Sequence, residues 1–266
     1  MKSFLDLLRE QKTEVSYLRS LIDTVVERKV LPHKRIMGAL LTGSVSRGDA
    51  RVGPFGLFID LVIVVRDRRD IDLTVLLGPD EKPALPFHCI TIDGNIGLAV
   101  EVVEYLELLE IRTKDEATIY AKYESTILFD REGLLKRWRE RVLVVSEEDI
   151  RKRSLTRLLR VGYLIGEYRM EKWERREAWA QLNQNMNEAC ECFCEFLYCI
   201  NGSFVPRKDW LVYLAFEQTN KPPALESLLD QMYTSASDRE SVRRRHAALV
   251  NAYEWMTNYS RMKGWS

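Results

Sequence analysis

Three short stretches hold the side chains best suited to chemistry. The apolar run Leu40-Leu41-Thr42 ends at Gly43-Ser44, a polar turn from Val45 to Ala50 carries Arg47 and Asp49, and a second apolar run, Leu61-Val62-Ile63-Val64-Val65, opens beside Asp60. A strand, a helix start and a second strand read this way. Such a start turns main-chain N–H groups toward an anion, and a carboxylate on the neighbouring strand can hold the magnesium that travels with phosphate. Gly43 permits close backbone approach, Ser44 offers a hydroxyl, and Arg47 can clamp a phosphate bidentately. Each has a plainer reading: Ser44 as a helix cap, Arg47 as the partner of a nearby acid, Asp49 as the cap of a turn. The third stretch, Gly97-Leu98-Ala99-Val100-Glu101-Val102-Val103-Glu104, sets Glu101 among apolar neighbours. Asp93-Gly94-Asn95 is a tight-turn signal before it, predicting a hairpin with Phe87-His88-Cys89-Ile90-Thr91-Ile92 that aims Glu101 toward Asp60 across a sheet. A solvent-facing Glu101 is the alternative.

Gly43-Ser44 with its strand partner at Asp60 resembles the signature of the nucleotidyltransferase superfamily, whose palm-like core is shared by DNA polymerase beta and the aminoglycoside nucleotidyltransferases. The family pattern is Gly-Ser, a spacer, then Asp-hydrophobic-Asp, with a third acid on a later strand. The thirteen residues from Val45 to Leu57 place Phe58 at the first acid and Asp60 at the second. Taking Asp60 as the first acid puts Val62 at the second, so either register loses one carboxylate. The resemblance implies Asp60 and Glu101 as catalytic residues and metal ligands, for Mg2+ or Mn2+. It implies Gly43, Ser44 and Arg47 as the cradle of a nucleoside triphosphate, and a small-molecule hydroxyl as the acceptor of the nucleotidyl group. Two-metal phosphoryl transfer needs carboxylates that hold two cations about 4 Å apart, and an aromatic ring cannot ligate magnesium. The lost acid opens a second reading: a catalytically impaired pseudoenzyme that serves as a nucleotide-binding or protein-interaction module.

Further along, Asn201-Gly202-Ser203-Phe204-Val205-Pro206-Arg207-Lys208-Asp209-Trp210-Leu211 is similar to a segment of the helical domains appended to small nucleotidyltransferases. In that family the bundle helps enclose the acceptor, which makes Lys208 a candidate contact to the triphosphate. Surface charge at a helix start is the plainer account of it.

The elements that must position these groups follow from periodicity. Apolar positions from Phe4 to Val26 fall on one helical face, predicting an N-terminal helix that Leu31-Pro32 stops. Ile36–Thr42 and Asp60–Val65 read as buried strands, Arg66–Asp70 as a solvated turn, Thr74–Leu77 as a short strand, and Gly78–Pro86 as a loop. Tyr105–Tyr123 is helical in pattern, Ser125–Phe129 reads as an edge strand, and Leu134–Val142 as a short helix. From Ser146, a natural cap before Glu147-Glu148, nearly everything is helical to the C-terminus. The expected architecture is α+β: a nucleotidyltransferase-like mixed sheet with flanking helices over residues 1–145, then an all-α helical bundle over 146–266.

Composition bounds the rest. The 266 residues carry 40 Lys plus Arg against 40 Asp plus Glu, so no global field favours a nucleic acid or an anionic membrane. No nucleic-acid partner is expected, and the resemblance to aminoglycoside-type enzymes implies a nucleotide and a small-molecule acceptor as the partners. Without a bilayer-length apolar run or a signal-peptide pattern, the expected location is cytoplasmic; the oligomeric state has no signal. Cys190, Cys192, Cys194 and Cys199 crowd one segment, yet on a helix Cys192 points away from Cys190 and Cys194, which favours buried thiols over a zinc site. The run Arg243-Arg244-Arg245-His246 reads as a solvated helix face.

Overall fold

The computed structural model describes residues 15–52, 56–234 and 238–265. The chain divides into two compact units, Met1–Val144 and Val145–Ser266. The first is α+β and the second all-α, as the patterning predicts.

In the first unit, helix α1 (Val15–Val25), extended by a π-helical turn over Val26–Val30, leads to strand β1 (Ile36–Thr42). The short helix α2 (Gly43–Arg47) separates it from β2 (Leu57–Val65). Strands β3 (His88–Asp93) and β4 (Ile96–Glu104) form the expected hairpin, turning at Gly94, and β5 (Thr126–Asp130) lies at the opposite edge. The sheet order is β3-β4-β2-β1-β5, with β2 and β4 parallel and the other neighbours antiparallel.

Both sheet faces are covered, which explains the near-continuous apolar runs in β1 and β2. Ala39, Leu41, Ile59, Leu61, Ile63, Leu98 and Val100 face one core, shared with Leu18 and Ile22 of α1. Leu40, Val62, Val64, Ala99 and Val103 point the other way by strand alternation and are also buried. Helices following β4 cover that second face: α4 (Tyr105–Leu109), α5 (Glu116–Tyr123) and α6 (Leu134–Val142). Leu135 of α6 sits where a Cβ on Gly38 would stand, and Trp138, buried, donates its indole N–H to the Leu108 carbonyl at 2.6 Å.

Two local expectations are corrected. Residues 73–77 form a helix, α3 (Leu73–Leu77), where a strand was expected, because the Asp72 carboxylate accepts from the N–H groups of Thr74 and Val75 and caps it. The helical pattern from Tyr105 to Tyr123 is interrupted by a 3-10 turn over Ile111–Thr113 and restarts at Asp115, which caps α5 through the Thr118 N–H. Of the expected N-terminal helix, residues 3–14 lie outside the described residues.

The second unit is built on α9 (Trp179–Ile200), which is packed by α7 (Glu147–Ile165), α8 (Glu167–Glu174), α10 (Lys208–Ala215), α11 (Leu225–Tyr233) and α12 (Arg239–Met262). Ser146 caps α7 through the Asp149 N–H. The basic run on α12 is not a uniformly solvated face. Arg245 is buried, donating to the Met232 carbonyl and to Asn183 and Asn187, and His246 makes a 2.7 Å hydrogen bond with the Ile165 carbonyl. With helical periodicity, four consecutive polar residues cannot all face solvent when Val242 and Leu249 on the same helix are buried. Among the described residues no helix is long and apolar enough to cross a membrane.

Candidate functional site

The predicted strand, helix start and second strand meet at the end of β1. Thr42 and Asp60 are register partners across β1 and β2, so the chain that leaves β1 through Gly43-Ser44 starts α2 directly beside the Asp60 side chain. Gly43 has φ +68°, and a Cβ there would collide with Asp60 Oδ2. Only glycine accommodates both the left-handed backbone and the carboxylate packed against it. Negative charge next to the first turn of a helix is favourable, which helps to hold Asp60 in place. Ser44 is half-buried, and its carbonyl accepts from the N–H groups of Gly48 and Asp49, closing the turn.

Arg47 is paired with an acid of its own turn. Its side chain is 13 % exposed and its Nε lies 3.3 Å from Asp49 Oδ2. It also faces Glu124, whose carboxyl is raised above the usual carboxylate range by burial while Arg47 and Arg139 pull it back. Both the guanidinium and Asp49 are thus engaged in the wall between α2 and α5. The hydroxyl of Ser46 completes that wall, bonding the Glu124 carbonyl at 2.9 Å and Thr126 Oγ1 at 3.0 Å.

The other residues singled out by the resemblance lie on the Asp60 face of the sheet. Register pairs Phe58 with Gly97, Asp60 with Ala99 and Val62 with Glu101, and side chains opposite one another across two strands share a face. Glu101 therefore stands on the same face as Asp60, one side-chain step along β4. Its carboxylate is engaged there by Lys122 of α5, whose Nζ is 2.5 Å from Oε2. Lys122 is 7 % exposed at its side chain and Glu101 41 %, so the pair reaches from the interior to the surface. Phe58 lies flat on Gly97, where a Cβ would come within 2.5 Å of the ring, and Lys82 holds its ammonium 4.5 Å above the ring centre.

Magnesium demands hard oxygen ligands in near-octahedral array, and a pair of cations needs bridging carboxylates. Asp60 fits such a ligand. Phe58 does not, and Glu101 already carries an ammonium. No three His, Cys, Asp or Glu side chains gather into a metal-holding group among the described residues. The residues present do not fit a two-metal centre.

Lys122 and Lys82 are residues at the candidate site that sequence reasoning missed. Lys122 had a faint signal, since it lies three residues after Ile119 and shares that residue's buried helical face. Lys82 sits in a Pro-rich loop with no periodicity, and only tertiary structure brings it to Phe58.

Lys208 belongs to the second unit, at the start of α10, where its ammonium is 2.7 Å from Glu191 and mostly exposed. The cysteines of α9 are free thiols, with Cys190, Cys194 and Cys199 buried and Cys192 partly so. Burial pushes Cys192 up to about 12, and Cys190 up to about 11 despite Arg245 beside it, which keeps both protonated at neutral pH and unlike metal-ligating thiolates.

The geometry defines an α+β unit with a strand, Gly-Ser helix start and strand motif at one end of a mixed sheet. Residues 112–211, which begin in the first unit and end in the second, match the family described as a domain of unknown function, DUF4037. Among solved structures the chain is similar to a nucleotidyltransferase-like protein from Exiguobacterium sibiricum 255-15, at 13 % identity and a TM-score of 0.44 over 90 % of this chain and 75 % of that one. No curated protein matches the chain.

Proposed function

We propose that this protein is a nucleotidyltransferase-like binding module in which two-metal transfer has been lost, the Gly43–Ser44 turn serving to receive a nucleoside triphosphate beside Asp60. The Glu101–Lys122 pair is the observation that carries the reading. An ammonium occupies the carboxylate that would have to hold a divalent cation, and at the first acid position an aromatic ring under Lys82 replaces the other ligand. The Glu101–Lys122 pair is electrically neutral, Lys82 adds one positive charge over Phe58, and neither lysine can activate an attacking oxygen as a metal-bound carboxylate pair does. Binding therefore survives where turnover does not. Expulsion of the leaving group and orientation of an acceptor hydroxyl both lack the carboxylates they need.

The purified chain, titrated with each of the four common nucleoside triphosphates, is expected to bind at least one of them and to release no pyrophosphate with magnesium or manganese present. The double variant Phe58→Asp, Lys122→Met restores one acid and frees Glu101, and is expected to gain measurable pyrophosphate release. Wild-type turnover that Asp60→Ala abolishes would overturn the loss of chemistry. Failure of every triphosphate to bind would overturn the binding role.

A further inference from the structure

We infer that the first unit carries a second ligand site, at the end of the sheet opposite Gly43, that takes a small phosphate ester with an apolar body. Strand β1 runs from Ile36 to Thr42, so its two ends are separated by roughly 20 Å at the usual strand rise. Ile36 lines a cleft of about 780 Å³ whose other walls come from the exit of β2, the start of α4 and the turn after β5. That volume is in the range of small-molecule sites.

The cleft is cationic on a chain whose net charge is zero. Lys34, Arg35, Arg66 and Arg131 line it against only Asp70 and Glu132. Two of the four cations are committed: Arg35 pairs with Asp70 at 2.8 Å, and Arg131 is anchored by its bonds to the carbonyls of Leu31 and Ile36. Lys34 and Arg66 have no carboxylate partner among the described residues, and they enter the cleft from the start of β1 and the end of β2. Both side chains are exposed, and a dianionic phosphate in the cleft accepts charge-assisted hydrogen bonds from Lys34 and Arg66.

Two further features mark a built site. Tyr105 and Leu106, the latter 64 % exposed, supply an apolar wall beside the cations. At the rim, Glu132 has φ +68° and Gly133 φ +67°, two successive left-handed residues of which only the second is glycine. A non-glycine residue held there is strained, and such strain gathers at ligand sites. This inference stands apart from the Gly43 site and does not depend on it.

The test is hydrogen-exchange mass spectrometry on the full chain with ADP, in magnesium-free buffer. ADP is expected to protect peptides covering residues 33–37, 104–107 and 130–135. Lys34→Ala with Arg66→Ala, both at the surface of the cleft, is expected to remove that protection and to weaken binding at this site by roughly tenfold per contact. Protection of residues 42–48 reports the other site separately. Absence of protection in the cleft at millimolar ADP overturns the inference, and so does equal protection in the double variant. Inorganic pyrophosphate in a parallel arm is expected to bind more weakly than ADP; equal binding would overturn the role given to Tyr105 and Leu106.

Discussion

Trp138→Ala is expected to destabilise the first unit by about 3–5 kcal/mol, the cost of emptying a large aromatic site in a core that cannot collapse around it. Trp138 is fully buried on the face of the sheet that carries Asp60 and Glu101, and its indole N–H is the partner of the buried Leu108 carbonyl. The substitution removes both the volume and the side-chain donor to the Leu108 carbonyl. Trp138→Phe separates the two contributions, because it keeps most of the apolar volume and loses only the hydrogen bond and part of the ring, for about 1–2 kcal/mol. Urea denaturation followed by far-UV circular dichroism reads both, with the first midpoint of Trp138→Ala falling by roughly 2 M. A change below about 2 kcal/mol in Trp138→Ala would show that α6 is a detachable cover and not part of the core. The consequence reaches the site. Helices α5 and α6 share this face, so a loosened α6 also loosens Lys122 over Glu101.

Gly43→Ala is expected to cost about 2–4 kcal/mol and to abolish ligand binding at the α2 turn. The left-handed backbone at Gly43 accounts for about 1–2 kcal/mol of that with any L-residue. The remainder comes from the collision of the new methyl group with the Asp60 carboxylate, which has to leave its place beside the helix start. The two contributions can be separated by a double-mutant cycle. In Gly43→Ala, Asp60→Ala the collision is gone and the backbone cost remains, so the pair is expected to lose at least about 1 kcal/mol less than the sum of the single variants. Additivity within a few tenths of a kcal/mol would mean that Asp60 is not held against Gly43, and that the contact at the heart of the candidate site is absent in solution.

Residues whose environment repeats along the chain were legible. The alternating burial of two covered sheet faces makes β1, β2 and β4 apolar runs, the Asp-Gly-Asn turn announces the β3–β4 hairpin, and Ser146 before two acids marks the start of the helical unit. The α3 segment was misread because Thr-Val-Leu-Leu has strand-like composition; its state is decided by one carboxylate, that of Asp72, acting on two amides. The same limit applied to Arg245. A charge run is solvated by default, and only the packing of α9 and α11 against α12 supplies the carbonyl and amide oxygens that let one guanidinium go inside.

The candidate site divides along the same line. Gly43, Ser44 and Asp60 belong to one strand, turn and strand motif, and local chain geometry alone brings them together; so the sequence by itself determined where the glycine turn would meet a carboxylate and that an aromatic ring, Phe58, would stand two residues before that carboxylate. The fate of Glu101 was decided by tertiary structure. Whether a carboxylate is a cation ligand or half of an ion pair depends on which charge another element delivers to it, and Coulomb attraction is indifferent to separation along the chain. Lys122 reaches Glu101 from 21 residues away and Lys82 reaches Phe58 from a loop. The cationic cleft at the far end of the sheet has the same origin, because the start of β1 and the end of β2 become neighbours only when the two strands pair antiparallel.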